Sequence, residues 1–447
     1  MVSVVVLAAG LGTRMKSKTP KVLHKICGRS IIEYVLDAAL SVSSNLHVVL
    51  FHEKELIKNY LSRAYPPHLL DKLHFHTQSL DRYPGTGGAL MDSDKNNMTP
   101  IDFKGDRIVV LSGDAPLVSH HELERILEVD ADIVVGICKT NSPHGYGRIV
   151  TSKEDSRVIN RIVEELDCNE IEREISLVNG GLYCFKREIL EKYLPSLSSN
   201  NSKGEFYLTD LIKKANEGGA LILGCPLESK ALIGVNSRVE LAAAQDAMLD
   251  FLRLKAMQQG VTLNMPSSIY IDSRAVFEGD CIIENGACIR GASLIKDSHI
   301  KAHTVIEDSE IINSDIGPSA HIRPMCHIED SHIGNFVECK KARLKGVKAG
   351  HLSYLGDCEI GEGSNVGAGV ITCNYDGRGK HKTIIGKQVF IGSDTQLIAP
   401  VSIGDRVLIA AGSTVTKDAQ SGDLVISRAK QVNHSGGYAR FFGKNED

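Results

Sequence analysis

The chain has 447 residues, a formal net charge of −4 and eleven cysteines. This length exceeds one ordinary hydrophobic core and predicts two or three domains. The weak net charge gives no basic patch for nucleic acid, and no apolar run approaches a membrane span. The cysteines show no Cys-x-x-Cys spacing, and the sequence enters a strand at once without the pattern of a signal peptide. These features predict a cytoplasmic protein with reduced thiols and no zinc site.

Residues 1–238 have the pattern of a doubly wound, Rossmann-like α/β domain with a mostly parallel sheet. Apolar, β-branched runs alternate with helical patterns, and examples are the runs 2–6, 47–51, 107–111 and 132–137. Ligands of such sheets bind beyond the carboxyl ends of the strands. The loops that follow these runs are therefore the expected place for a site.

The loop after the first run reads Leu7-Ala8-Ala9-Gly10-Leu11-Gly12-Thr13-Arg14-Met15, with Lys21 shortly after it. Small residues let the backbone approach a ligand, while Arg14 and Lys21 bring cations, so the loop predicts a polyphosphate site. It is not a P-loop, because no Gly-Lys-Ser/Thr follows, and Met15 replaces the third Gly of the dinucleotide fingerprint. An ordinary Gly-containing βα turn is the alternative, but it needs no clustered cations.

The run 107–111 leads into Ser112-Gly113-Asp114-Ala115-Pro116-Leu117. A carboxylate at the end of a strand can hold a hard cation against a triphosphate. An Asp in a simple turn is the alternative interpretation.

The opening loop resembles the signature of the sugar-nucleotide pyrophosphorylases. The resemblance implies that Arg14 and Lys21 stabilise charge at the reacting phosphorus, and that Asp114 and Asn236 bind Mg²⁺. Members of that family often carry Tyr where this chain has Ser112. The further nucleotide and sugar contacts that the resemblance implies are Leu7, Ala8, Ala9, Gly10, Gln78, Gly85, Thr86, Gly113, Gly147, Glu164 and Asn179.

The periodicity changes after residue 238. Residues 239–259 are rich in Ala and Leu without Pro or Gly, which predicts a linking helix. From Ile271 to Val415 an aliphatic residue or Phe recurs about every six positions, with one-residue slips at Ile300 and Ile333. This period predicts a parallel β-helix over residues 260–447, with the recurring side chains inside. It resembles the left-handed kind, whose members associate as homotrimers.

Two polar segments disturb the six-residue period, at 333–360 and at 371–385, and they contain reactive residue types. Acetylation of an amine by a thioester needs a base, and His351 in the first segment has a suitable side chain. A lone His on a β-helix is otherwise structural or solvated. Arg323 and Lys340 support the catalytic interpretation, because they could neutralise a sugar 1-phosphate nearby.

Nearly the whole chain resembles the family of bifunctional glucosamine-1-phosphate N-acetyltransferases and N-acetylglucosamine-1-phosphate uridyltransferases. The resemblance implies acetyl-CoA-dependent acetylation of glucosamine 1-phosphate, then uridylyl transfer from UTP to N-acetylglucosamine 1-phosphate. The product, UDP-N-acetylglucosamine, supplies peptidoglycan and lipopolysaccharide synthesis. The residues implied around glucosamine 1-phosphate are Arg323, Lys340, Tyr354 and Asn365, and those along acetyl-CoA are Ala368, Asn374, Tyr375, Ser393, Ala411 and Arg428.

Two other interpretations remain open from the sequence. One is a single-activity sugar-1-phosphate nucleotidyltransferase whose β-helix is structural or regulatory, and consumption of acetyl-CoA would distinguish it. The other is a trimerising scaffold without activity. This interpretation does not explain the cations of the opening loop. The predicted domains are the uridyltransferase at 1–238, the linking helix at 239–259 and the acetyltransferase at 260–447.

Overall fold

A computed structural model gives the structure of residues 1–95 and 97–443. The chain divides into two compact units, Met1–Leu249 and Asp250–Asp447. The division falls inside one long helix, Arg238–Gln258, whose sequence favours a helix throughout. This helix is followed by Gly260, whose φ of +95° suits a residue just past a helix end. None of the helices in the described part of the chain is long and apolar enough to cross a membrane.

The first unit is built on a nine-stranded sheet in the order β11-β7-β10-β6-β1-β4-β5, with β8 and β9 paired beside β10. Its strands are parallel except for β10 and the β8–β9 pair, which agrees with the predicted doubly wound fold. A separate small hairpin contains β2 and β3. The strands are β1 Val2–Leu7, β2 Lys25–Ile26, β3 Arg29–Ser30, β4 Leu46–Leu50, β5 Leu73–Thr77, β6 Arg107–Ser112, β7 Ile133–Lys139, β8 Arg148–Thr151, β9 Ile159–Val163, β10 Leu177–Lys186 and β11 Ile222–Pro226.

Hydrophobic clusters cover both faces of this sheet. Along β1, Val4 and Val6 join one cluster and Val5 joins the other, because successive side chains of a strand point to opposite faces. Coverage on both sides explains why the strands are apolar without alternation. The helices of this unit and the long helix after it are α1 Ile31–Val42, α2 Lys54–Ala64, α3 Pro67–Leu70, α4 His120–Glu128, α5 Glu170–Arg173, α6 Arg187–Tyr193, α7 Leu208–Glu217 and α8 Arg238–Gln258.

The second unit is a parallel β-helix with three sheets, one on each face of a prism. Face one contains Thr262–Leu263, Ile282–Ile283, His299–Ile300, Asp315–Ile316, His332–Asn335, Lys348–His351, Asn365–Val366, Phe390–Ile391, Leu408–Ile409 and Leu424–Val425. Face two contains Tyr270–Ile271, Cys288–Arg290, Val305–Glu307, His321–Ile322, Glu338–Lys340, Tyr354–Gly356, Ile371–Cys373, Gln396–Ile398 and Thr414–Val415. Face three contains Val276–Glu278, Leu294–Lys296, Glu310–Ile312, His327–Glu329, Arg343–Lys345, Cys358–Ile360, Thr383–Ile385 and Val401–Ile403. A short helix, α9 Gly437–Phe442, follows the last coil.

The coils continue without a break through residues 333–360, where the sequence pattern looked irregular. The inward positions there are held by Cys339, Leu344, Ala349 and Leu355, all of them buried. Cys339 and Ala349 occupy inward positions as small apolar residues, so the six-residue period of aliphatic residues is not visible in this part of the sequence. The later disturbance is different in kind, because residues 374–382 leave the coil as a loop closed by a bridge between Tyr375 and Lys380.

Candidate active sites

A cleft of about 540 Å³ opens in the first unit beyond the carboxyl ends of β1 and β6. Two predicted glycines, Gly113 and Gly147, are not among its lining residues. Gly113 lies directly behind the lining, because its N–H donates to the carbonyl of Leu7 (2.8 Å). The predicted residues that line the cleft are Leu7, Ala8, Ala9, Gly10, Arg14, Lys21, Gln78, Gly85, Thr86, Asp114, Glu164, Asn179 and Asn236.

The opening loop is shaped so that Lys21 can reach the cleft. Gly12 has a φ of +63° and leads into a short 3-10 turn, Thr13–Met15. A Cβ on Gly12 would lie 2.9 Å from the Cβ of Lys21, so this approach requires glycine. Met15 is fully buried and anchors the turn.

Lys21, Asp114 and Asn236 converge at one point of the cleft. The Lys21 ammonium donates to Oδ2 of Asp114 and to Oδ1 of Asn236, the latter at 2.9 Å. The N–H of Val235 donates to the carbonyl of Asp114 (2.9 Å), which ties the two segments together through the backbone. One carboxylate oxygen and one amide oxygen thus face a common cation position.

This arrangement fits a hard cation such as Mg²⁺. Oxygen ligands are the ones that Mg²⁺ prefers, and it is commonly held by one or two protein groups together with substrate phosphates. Among the described residues, no group of three or more His, Cys, Asp or Glu side chains could hold a metal. Asp114 and Asn236 would supply two oxygen ligands to such a cation, and the remaining ligands would come from substrate and water.

The lining of the cleft also contains the polar groups predicted to contact the sugar. Glu164 accepts a hydrogen bond from Oγ1 of Thr209 (2.9 Å), and burial raises the pKa of the Glu164 carboxyl. Nδ2 of Asn179 donates to the hydroxyl of Tyr183 (2.6 Å). Thr209 and Tyr183 also line the cleft, although neither was among the site residues predicted from the sequence.

The predicted base-reading segment is braced against its own loop. The Gln78 side chain is buried, and its Nε2 donates to the carbonyls of Tyr83 (2.9 Å) and Gly85 (2.8 Å). Thr86 Oγ1 accepts from the N–H of Leu208 (3.0 Å). Gly85 has a φ of +91°, and a Cβ there would lie 2.8 Å from the carbonyl of Phe206. These contacts fix the loop against the start of α7.

In the second unit, four of the six predicted acetyl-CoA residues follow one corner of the prism, and they are Ala368, Ser393, Ala411 and Arg428. Strand pairing aligns Ala349, Val366, Ile391 and Ile409. Two positions beyond these residues lie, in the same order, His351, Ala368, Ser393 and Ala411. Backbone bonds link this corner, from Asp394 N–H to the Ala368 carbonyl (2.8 Å) and from Gly412 N–H to the Ser393 carbonyl (2.9 Å). Arg428 extends it, because Nη1 donates to the Ala411 carbonyl (2.7 Å).

The two faces beside this corner have the other predicted residues. Asn365 lies on face one, whereas Lys340 and Tyr354 lie in strands of face two and Arg323 directly follows one. Asn374 Nδ2 donates to Asp357 Oδ2 (2.5 Å) and lies 3.4 Å from the Tyr354 hydroxyl. The Asn374 side chain thus fastens the start of the loop to the coil beneath it. Tyr375, the next residue, is 61% exposed.

Cations gather on face two near the loop. Arg323 is paired with Glu338 (2.8 Å), and the adjacent Lys340 meets Lys380 of the loop, whose ammonium lowers the pKa of Lys340. Two like charges in contact repel each other, so this position favours an anion. Lys380 was not among the predicted site residues, although its place in the polar interruption was a signal for it.

Comparison with known proteins first defines the class. The model of the MobA-like NTP transferase domain family matches residues 4–165, and that of the bacterial transferase hexapeptide family, six repeats, matches residues 382–417. The chain is thus a nucleotidyltransferase joined to a hexapeptide-repeat transferase.

Full-length relatives then define the family. The bifunctional protein GlmU of Helicobacter hepaticus is 53% identical and covers 100% of this chain and 99% of the relative. The protein of that name from Campylobacter curvus is 50% identical, and the match covers 99% of this chain and 98% of the relative. The one from Helicobacter pylori (strain ATCC 700392 / 26695) is 49% identical, and the match covers 99% of this chain and 100% of the relative. The chain belongs to the bifunctional GlmU family. This confirms the family and the bifunctional transferase activity predicted from the sequence.

Proposed function

We propose that this bifunctional enzyme makes UDP-N-acetylglucosamine in two steps, each performed by one of its two units. The second unit acetylates glucosamine 1-phosphate with acetyl-CoA, and the first then joins N-acetylglucosamine 1-phosphate to UTP with release of pyrophosphate. The product would serve peptidoglycan and lipopolysaccharide synthesis. The convergence of Lys21, Asp114 and Asn236 in the cleft is the observation that supports the uridylyl step most strongly.

In the uridylyl step, an oxygen of the sugar phosphate attacks the α-phosphorus of UTP as the bond to pyrophosphate breaks. Negative charge grows on the phosphate oxygens, and the side chains of Lys21 and Arg14 are positioned in the cleft to stabilise it. Mg²⁺, when bound by Asp114 and Asn236, would supply further neutralisation of the nucleotide phosphates. Glu164 and Asn179, held by Thr209 and Tyr183, would orient the hydroxyl and acetamido groups of the sugar.

In the acetyl step, the sugar amine attacks the thioester carbonyl, a C–N bond forms and the C–S bond breaks. The attacking nitrogen must lose a proton, and the exposed imidazole of His351 can accept it. Arg323, Lys340 and Lys380 would bind the sugar phosphate. The corner of Ala368, Ser393, Ala411 and Arg428 would hold acetyl-CoA, since stacked strands about 4.8 Å apart offer an extended ligand a regular edge. Asn365 and Tyr354 lie on the two faces beside this corner, Asn374 and Tyr375 follow the face-two strand Ile371–Cys373, and these four residues would complete the site.

The enzyme is further proposed to work as a cytoplasmic homotrimer assembled through the β-helix. All eleven cysteines are free thiols, which suits a reducing compartment. The apolar side chains of Phe390, Leu408 and Leu424 form an exposed row on face one, of the kind that subunit contacts cover. Mass measurement in solution should give three chains per particle.

An omission assay with the full-length protein tests the proposal. UTP, Mg²⁺, acetyl-CoA and glucosamine 1-phosphate should yield UDP-N-acetylglucosamine, and removal of any one should stop its formation. N-acetylglucosamine 1-phosphate should replace acetyl-CoA and glucosamine 1-phosphate together. EDTA should stop uridylyl transfer while acetylation continues. Equal loss of both activities with EDTA would refute the assignment of the metal to the first unit, and a protein that never consumes acetyl-CoA would refute the acetyl step.

A further inference from the structure

Ser112 lies beside the predicted metal ligand without a role in the proposed reaction. It is the last residue of β6, and Asp114 follows two positions later. The chain turns at Gly113 and Asp114, and both side chains line the cleft. Ser112 is therefore placed to act on the carboxylate of Asp114.

The two oxygens of Asp114 have separate partners. Oδ1 accepts a hydrogen bond from Oγ of Ser112 at 2.6 Å, whereas Oδ2 faces the Lys21 ammonium. A hydroxyl bound to a carboxylate at this distance makes a charge-assisted hydrogen bond, which is stronger than one between neutral groups. The Ser112 bond thus acts on one oxygen while the other points to the cation position shared with Asn236.

The backbone around Asp114 is already fixed on both sides. The N–H of Gly113 donates to the Leu7 carbonyl (2.8 Å), and the Asp114 carbonyl accepts from Val235 (2.9 Å). The side chain of Asp114 can still turn, and the terminal torsion of its carboxylate has broad, roughly two-fold preferences. Without Ser112, both oxygens could turn towards Lys21 and leave the cation position poorly defined.

We propose that Ser112 is a positioning residue that holds the Asp114 carboxylate in the orientation required to bind Mg²⁺ with the nucleotide. This inference rests on the proposed function, in which Asp114 is a metal ligand. The contact depends on a short side chain, because a Tyr hydroxyl at this position would stand too far from its own backbone to bond the same oxygen. Removal of a group that orients a metal ligand typically lowers the metal affinity by about 10–100-fold.

Two variants and one matched control test the inference in the full-length protein. Ser112→Ala removes the hydroxyl, and Ser112→Thr keeps it. Ser119→Ala is the control, because Ser119 also bonds a carboxylate, that of Glu122, but caps α4 away from the cleft. The measurements are Mn²⁺ binding in the presence of UTP, followed by electron paramagnetic resonance, and the Mg²⁺ concentration that gives half-maximal uridylyl transfer.

Ser112→Ala should weaken Mn²⁺ binding and raise the half-maximal Mg²⁺ concentration by about tenfold. Ser112→Thr should restore both values to within about threefold, and the KM for N-acetylglucosamine 1-phosphate should change little. Unchanged metal binding in Ser112→Ala, or an equal change in Ser119→Ala, would overturn the inference. If Asp114→Asn also leaves metal binding unchanged, the metal site of the proposed function fails as well, so the two failures are distinguishable.

Discussion

Lys21 is the cation that the structure places between the predicted metal ligands. Its ammonium can stabilise negative charge that grows on phosphate in the transition state, so its loss should affect rate more than binding. Lys21→Ala should slow uridylyl transfer by about a hundredfold or more, as for other preorganised charge partners. Acetylation should be nearly unchanged. Both rates should be measured beside a thermal melt, because unfolding would lower them together.

Lys18→Ala provides the matched control for Lys21. Lys18 belongs to the same loop, is exposed and does not line the cleft. It should keep nearly full uridylyl transfer. A loss as large as that of Lys21→Ala would mean that the loop acts through its overall charge, and it would remove the special role of Lys21.

His351 stands at one end of the corner assigned to acetyl-CoA. If His351 is the general base, His351→Ala should lower the rate of acetyl transfer by about two to four orders of magnitude. The wild-type rate should fall in acid, where imidazole is protonated and cannot accept a proton, and the variant should lose that dependence. Uridylyl transfer from ready-made N-acetylglucosamine 1-phosphate should persist.

His332→Ala serves as the control for His351, because His332 lies on the same face and is paired with Asp315 (3.1 Å). It should acetylate normally. Near-normal acetylation by a folded His351→Ala protein would instead exclude His351 from the chemistry. Loss of both activities together would indicate a structural role.

At the scale of elements, the edge strand β5 is held by stacked histidines. Nδ1 of His47 on β4 lies 2.9 Å from Nε2 of His76 on β5. The two rings are stacked, with their centroids 5.1 Å apart. Burial lowers the pKa of His47 to about 3, with smaller effects from His76, His74 and Lys104. Burial also lowers the pKa of His76, although the nearby carboxylates of Asp92 and Asp94 oppose the shift.

This stack should make the first unit sensitive to acid. An unfolded histidine takes up a proton near pH 6.5, whereas folded His47 resists protonation, so the free energy of unfolding should fall as pH drops below about 6.5. The loss should reach up to about 2 kcal/mol at pH 5. His47→Gln should flatten this dependence in calorimetric melts, and the exposed His68→Gln should retain it. Identical pH profiles for all three proteins would contradict the prediction.

The sequence predicts elements whose pattern is local. A continuous apolar, β-branched run predicted β1, six-residue spacing predicted the β-helix, and the opening loop with its cations pointed to the cleft. Contacts between distant segments left no such trace. Thr209 reaches Glu164 only because α7 packs against β9, and Lys380 reaches Lys340 only because the loop folds back over its coil. Such pairs depend on tertiary packing, which a single sequence does not encode as spacing.

At the scale of the whole molecule, each proposed site is contained in one unit. The uridylyl residues lie between Leu7 and Asn236, inside Met1–Leu249, and the acetyl residues lie between Arg323 and Arg428, inside Asp250–Asp447. No residue assigned to one reaction belongs to the unit of the other. The only chemical link that the proposal requires between the two sites is the intermediate, N-acetylglucosamine 1-phosphate.

Two defective proteins should therefore restore the overall reaction when mixed. Lys21→Ala should still acetylate glucosamine 1-phosphate, and His351→Ala should still consume the product with UTP, because each keeps one intact site. With glucosamine 1-phosphate, acetyl-CoA, UTP and Mg²⁺, the mixture should form UDP-N-acetylglucosamine after a lag while the intermediate accumulates in solution. The double variant Lys21→Ala, His351→Ala has neither site intact and should form product about a hundredfold or more slower than the mixture. If the mixture stays inactive although each variant performs its own half-reaction, free diffusion of the intermediate is excluded, and the two steps must be coupled within one molecule.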